Sequence, residues 1–253
     1  MKIKLFDANV YLGTQMLGVY DSVPTASELL KKMDDLEIEK ALVYHMAQFD
    51  YSPEEGNKML VETMEGSKRL YGCWTVLPPQ TEEVMTKDFF SRMKKNRIFA
   101  LNVFPVRNRF LLNGVVFGSI FEEMIERSIP LVLSMREGGG ATWEMIYSLL
   151  KEFPKLTCII TDFSIWGVDR YTFPLLEKYK NVYLESGVIS LQEGSFEMTV
   201  RKYGAKRLVF GSGFPEKYQE ASMLHLLHSN ISEADKVKVG SGNMEALISK
   251  VQL

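Results

Sequence analysis

Short apolar runs rich in β-branched and aromatic residues recur along this chain, each followed by a segment whose apolar residues return at three and four positions. Eight runs stand out: Ile3 to Ala8, Ala41 to His45, Leu70 to Val76, Ile98 to Phe104, Pro130 to Leu133, Thr157 to Thr161, Asn181 to Leu184 and Arg207 to Phe210. Their hydrophobicity is continuous rather than alternating, as in strands buried on both faces. The intervening segments "TASELLKKMDDL", "SPEEGNKMLVETM", "TEEVMTKDFFSRMKK", "FGSIFEEMIERS", "ATWEMIYSLLKEF", "YTFPLLEKYK", "GSFEMTVRKYG" and "EKYQEASMLHLLHS" have helical spacing. Capping residues open several of them, such as Thr25 three positions before Glu28, and Ser52 ahead of Pro53 and Glu55. Eight strand-helix units predict a parallel sheet covered on its outer face. The economical arrangement is an α/β fold, a (β/α)8 TIM barrel, with residues 1–253 as a single domain. An open doubly wound sheet is the competing one.

Composition narrows the partners. The chain has 253 residues, 46% hydrophobic and 25% charged, enough apolar material for one sizeable core. Its net charge of −2, from 30 basic and 32 acidic residues, leaves no electrostatic footprint for nucleic acid or a membrane surface. No apolar run approaches the roughly 18 residues of a membrane span, and no signal-like segment precedes the first strand, so a cytoplasmic protein is expected. The two cysteines, Cys73 and Cys158, each lie inside an apolar run and read as buried free thiols. The glycines 138–140 lack dinucleotide-site spacing and read as flexible loop, a candidate lid. "GSG" at 211–213 lacks the flanks of a nucleophile elbow. No cofactor is expected, and a homo-oligomer is left open.

A barrel of this kind builds its active site where the strands end at their carboxyl side. Those ends collect Asp7, Asn9, Tyr11, His45, Trp74, Asn102, Ser134, Arg136, Asp162, Glu185, Ser212 and Gly213. His45 is the one histidine that could face the cavity as acid or base, or else packs under a loop. Asp162 either lines the cavity, with Arg136 as a candidate cation, or binds a backbone amide at a loop start. Glu185 interrupts an apolar stretch, and a buried glutamate needs a partner; it could be a base, an anchor for a basic group, or the partner of an outer lysine. Arg107, Arg109 and Arg136 are planar forks suited to carboxylate or phosphate, or are simply solvated. His225 and His228, three apart on a helix, read as structural.

The strand ends, in order over the whole chain, resemble the amidohydrolase superfamily, in particular amidohydrolase family 2. "FDANVYLG" resembles that family's Asp-any-His-any-His strand, and "PLVLSMREGG", "FPKLTCIITDFSIWG" and "NVYLESG" resemble its fifth, sixth and seventh strands. "RLVFGSGFP" is similar to its Gly-Ser-Asp-any-Pro signature, and "GSGNMEALI" to its terminal helix. The resemblance implies metal ligands at the positions held here by Asn9, Tyr11, Ser134, Asp162 and Gly213, and it assigns Asp7 to supporting the strand. Only Asp162 among the five is an anionic donor, whereas catalytic zinc takes three or more protein ligands. The expectation is therefore an amidohydrolase-like pseudoenzyme without metal, in which Asn9, Tyr11, Asn102, Ser134 and Arg136 hold a small anionic carboxylate or phosphate. The competing expectation is a metal-independent hydrolase of lactones or esters, or a decarboxylase, using Asp162, Glu185 or His45 as acid and base. A third, a metal held by Asp162, Glu185 and His45 together, requires those three to converge.

Overall fold

The computed structural model describes residues 3–16, 22–23, 25–163, 169–187 and 193–253. Its eight strands are β1 (Leu5–Leu12), β2 (Ile38–His45), β3 (Leu70–Thr75), β4 (Ile98–Asn102), β5 (Leu131–Ser134), β6 (Cys158–Thr161), β7 (Val182–Glu185) and β8 (Leu208–Val209). They pair in parallel, in chain order, within one sheet. Beyond β8 the extended chain returns to β1. The Ala8 N–H donates to the Phe210 carbonyl at 2.8 Å, Gly213 N–H to Asn9 at 3.0 Å and Tyr11 N–H to Phe214 at 2.9 Å. The sheet thus curls back on its first strand, as the (β/α)8 barrel does and an open doubly wound sheet does not.

Local chemistry starts the helices where expected. In α1 (Ala26–Asp35) Thr25 and Glu28 form a full capping box, and in α3 (Pro53–Met64) Ser52 caps the Glu55 N–H behind Pro53. A four-residue α2 (Ala47–Asp50) precedes α3. The segment 81–95 departs from expectation: only α4 (Phe89–Lys95) is helical. Pro78 and Pro79 initiate a 3-10 turn, Glu82 takes a left-handed φ of 55°, and the Thr86 hydroxyl bonds Asp88 at 2.6 Å. These local bonds compete with the helical ladder before Phe89. The remaining helices are α5 (Gly114–Glu126), α6 (Trp143–Glu152), α7 (Thr172–Lys178), α8 (Ser195–Tyr203), α9 (Gln219–His228), α10 (Glu233–Val237) and α11 (Asn243–Ile248). Among the described residues no helix is long and apolar enough to cross a membrane.

The core has two layers, which explains the unbroken hydrophobicity of the strands. Outward residues such as Val10, Val43, Leu101, Leu133 and Cys158 pack under the helices. Inward residues, among them Phe6, Ala8, Tyr11, Leu42, Tyr44, Cys73, Phe104, Val132 and Ile159, fill the barrel, and Met244, Leu247 and Ile248 of α11 join them. Cys73 and Cys158 are free and fully buried, and burial pushes both thiols well above their usual range. Gly138–Gly140 does not form an open lid. Gly140 and Ala141 N–H groups bond back to Arg136 and Ser134, and a Cβ on Gly139 would strike Phe49 and Arg107 at 2.5–2.7 Å.

Candidate functional site

The second of two register shifts between β1 and β2 shapes the mouth of the barrel. Asp7 pairs with Ala41 and Val10 with Val43, so three steps along β1 match two along β2. This bulge inverts the alternation of the strand. Simple alternation would aim Asp7, Asn9 and Tyr11 the same way; instead Asp7 is separated from the other two. The Asp7 carboxylate accepts from the Ser212 N–H at 2.9 Å, the Ser212 hydroxyl at 2.6 Å, the Gln219 amide at 3.1 Å and the Asn9 N–H at 3.2 Å. It ties β1 to the chain leaving β8, and burial pushes its carboxyl up to about 6.

Asn9 and Tyr11 converge on Asp162. The Asn9 amide donates to Asp162 Oδ1 at 2.8 Å. The Tyr11 hydroxyl at 2.8 Å, the Ser134 hydroxyl at 2.6 Å and the Thr161 hydroxyl at 3.1 Å all donate to Oδ2. Four neutral donors from β1, β5 and β6 thus meet on one carboxylate. Burial first, then the charge of Asp162, pushes the Tyr11 phenol well above its usual range, so it remains a donor. Asp162 sits at a φ of 60°, uncommon for a residue with a side chain, and its own N–H donates to Glu185 Oε2 at 3.0 Å.

Glu185 faces this cluster from β7 and is fully buried. Its Oε2 also accepts from the Asn9 amide at 3.2 Å, while Oε1 has no partner among the described residues. Burial, reinforced by the Asp162 charge, pushes its carboxyl up to about 8; Lys217 and the two donors pull the other way. Burial and the neighbouring Asp162 charge thus both favour the protonated form of Glu185.

Arg136 lies over the Tyr11 ring at 5.1 Å and the Phe49 ring at 4.9 Å, and its ion pair is with Glu216. Arg107 lies over the same Phe49 ring, at 5.4 Å. Arg107 donates to the carbonyls of Phe49 and Asp50, each at 2.9 Å, and so builds the loop. Arg109 occupies a left-handed backbone position. Asn102 faces inward and its amide oxygen accepts from the Thr75 hydroxyl. His45 is not brought to the cluster: Leu42, Tyr44 and Met46 point inward, which turns Val43 and His45 outward. Its Nδ1 accepts from the Ala47 N–H at 3.1 Å, and its ring packs so closely on Gly13 that a Cβ there would lie 2.5 Å away. Burial pushes its imidazole below the usual range. Trp74 points outward as well, into the helix layer. His225 stands apart on α9, against the Phe196 ring at 5.1 Å.

Thr161, Tyr44 and Glu216 belong to the mouth but were not singled out by the strand-end rule. Thr161 could have been found by its adjacency to Asp162, whereas Tyr44 needed the inward parity of β2. On inward-facing or mouth side chains, five buried polar atoms lack a partner among the described residues: Asn9 Oδ1, Tyr44 OH, Asn102 Nδ2, Arg136 NH1 and Glu185 Oε1. Eleven such atoms occur among the described residues, and these five belong to side chains of the barrel mouth.

A divalent metal does not fit this donor set. Asn9 turns its amide nitrogen, not its oxygen, toward Asp162 and Glu185, and the Tyr11 and Ser134 hydroxyls spend their protons on Asp162. Gly213 offers no side chain. Among the described residues no group of three or more His, Cys, Asp or Glu is gathered as a metal site would require.

No protein-family model matches the chain, and no curated protein does. Solved structures do. A TIM-barrel protein of uncharacterized function from Bordetella bronchiseptica superimposes with a TM-score of 0.75 at 14% identity, over 98% of this chain and 99% of that one. A dihydroxybenzoic acid decarboxylase from Polaromonas, solved with manganese and 2-nitroresorcinol, gives 0.74 at 16% identity over 98% and 97%. A probable 2-pyrone-4,6-dicarboxylic acid hydrolase from Acinetobacter baumannii, with citric acid bound, gives 0.74 at 13% over 97% and 99%. At these identities the likeness establishes the fold: the chain is a (β/α)8 barrel of the shape shared by these decarboxylases and hydrolases.

Proposed function

We propose that this protein is an amidohydrolase-like barrel that holds a small anionic molecule at its carboxyl-end mouth without a metal. The observation that carries the reading is the convergence of Asn9, Tyr11, Ser134 and Thr161 on Asp162, in a mouth where five buried polar atoms lack partners among the described residues. The donors that would answer a cation are replaced by groups that read hydrogen bonds. Arg136, with one nitrogen unpartnered among the described residues, favours an anion. The similar solved barrels support the same class, since their ligands and substrates include 2,6-dihydroxybenzoate, citric acid and 2-pyrone-4,6-dicarboxylic acid. The two buried free thiols accord with a reducing, cytoplasmic compartment. Thermal-shift measurement with small carboxylates and phosphate tests the reading: a ligand selective for the native state raises the Tm. Arg136→Met should abolish that rise, and an unchanged Tm with every anion would refute the proposal.

One observation favours a second reading, metal-independent acid-base catalysis. Glu185, whose proton affinity is raised by burial, and a donor-rich Asp162 are bridged by Asn9, which sets a candidate acid beside a candidate base. On this reading the protein hydrolyses a lactone or ester, or removes carbon dioxide from a carboxylate. Turnover of such substrates that disappears in both Asp162→Asn and Glu185→Gln would establish it; absence of turnover across a broad panel would leave the binding reading alone.

A further inference from the structure

The mouth contains a cation that belongs to the chain itself. After β8 the backbone makes one tight turn in which the N–H groups of Glu216 and Lys217 both donate to the Gly213 carbonyl, at 3.1 and 3.2 Å. Gly213 is in turn bonded to Asn9, so this turn borders the polar cluster. The two charged residues leave it in different directions. Glu216 pairs with Arg136. Lys217 folds back over Gly213: a Cβ on that glycine would lie 3.1 Å from Lys217 Cδ and 3.5 Å from Nζ. Gly213 combines a φ of +70° with this close approach, two reasons for the absence of a side chain. Among the described residues no carboxylate stands within ion-pair distance of the Lys217 ammonium. Its charge still reaches Glu185, whose proton affinity it lowers. Two further polar atoms of the mouth, Arg136 NH1 and Glu185 Oε1, are buried and unpartnered among the described residues.

Building on the anion reading above, we propose that Lys217 is the ligand-binding cation of the mouth, its ammonium held over Gly213 to receive a carboxylate or phosphate oxygen while Arg136 NH1 takes another. The position that the resemblance assigns to a metal-holding aspartate is thereby given to an ammonium lying on a bare glycine. An ammonium is a point charge with three donors, and an anion oxygen between it and a guanidinium gains charge-assisted bonds from both.

Isothermal titration calorimetry at low salt, with malonate and with inorganic phosphate as probes, tests this on the whole protein. The two probes separate a carboxylate site from a phosphate site. Lys217→Met should weaken the better probe by about tenfold or more, the size of one lost charged contact, and Lys217→Arg should stay within about threefold. Gly213→Ala should weaken it too, because the new methyl displaces the lysine stem. Lys217 is exposed, so its variants test the idea even where Gly213→Ala fails to fold. Binding to Lys217→Met within about twofold of the parent overturns the assignment while leaving the anion reading standing. A loss in Lys217→Arg as deep as in Lys217→Met overturns the charge argument. Failure of the parent protein to bind either probe overturns the anion reading and the role of Lys217 together.

Discussion

Replacing Glu185 by glutamine should make the protein more stable, and increasingly so as the pH rises. Glutamine resembles the neutral acid: its amide oxygen can still accept from the Asn9 amide and the Asp162 N–H. The folded protein holds the Glu185 proton up to about 8, whereas an ordinary glutamate releases it near 4.5. Between those values the folded state binds the extra proton, so stability falls as pH rises through the interval and levels off above it. Each pH unit is worth about 1.4 kcal/mol, and the whole interval amounts to about 5 kcal/mol as an upper bound. The parent and Glu185→Gln should therefore unfold alike at about pH 4.5 and diverge toward about pH 8, with the variant the more stable. Urea denaturation followed by circular dichroism across that range reads the difference directly. Asp7 titrates in both proteins, so its contribution cancels. A gap that does not change with pH would refute the assignment of a buried proton to Glu185.

Other perturbations probe the same network. Tyr11→Phe removes one donor to Asp162 while keeping the ring contact with Tyr44, centroids 4.0 Å apart, and should cost about 1.5–3 kcal/mol in denaturant stability. Gly13→Ala combines a φ of +89° with a methyl 2.5 Å from the His45 ring, and should lower the Tm by several degrees, at a cost of about 1–3 kcal/mol. Dialysis against a chelator should leave the Tm unchanged and elemental analysis should find no stoichiometric metal; one equivalent of zinc or manganese would overturn the reading of Asn9, Tyr11 and Ser134 as hydrogen-bonding groups.

Much of the scaffold could be read along the chain because its signals are local. Continuous apolar runs announce strands covered on both sides, Thr25 with Glu28 announces a capped helix, and the carboxyl-end rule nominates Asn9, Tyr11, Ser134, Asp162 and Glu185. The segment 81–95 resisted because its apolar spacing is helical while Pro78, Pro79 and Thr86 hold competing local bonds. His45 resisted for a different reason: which way a strand residue points depends on pairing across the sheet, not on its own neighbours.

The succession of eight strands and helices, the capping of the helices and the short list of reactive side chains were determined by the sequence itself, since each follows from spacing within a few residues. Only the tertiary structure decided which of those side chains meet. One extra residue in β1 separates Asp7 from Asn9, and closure of the sheet carries Asn9 across 153 positions of chain to Asp162. The raised proton affinity of Glu185 and the place of Lys217 are likewise products of enclosure, because burial and through-space charge depend on what the folded barrel gathers around a group rather than on its neighbours in sequence.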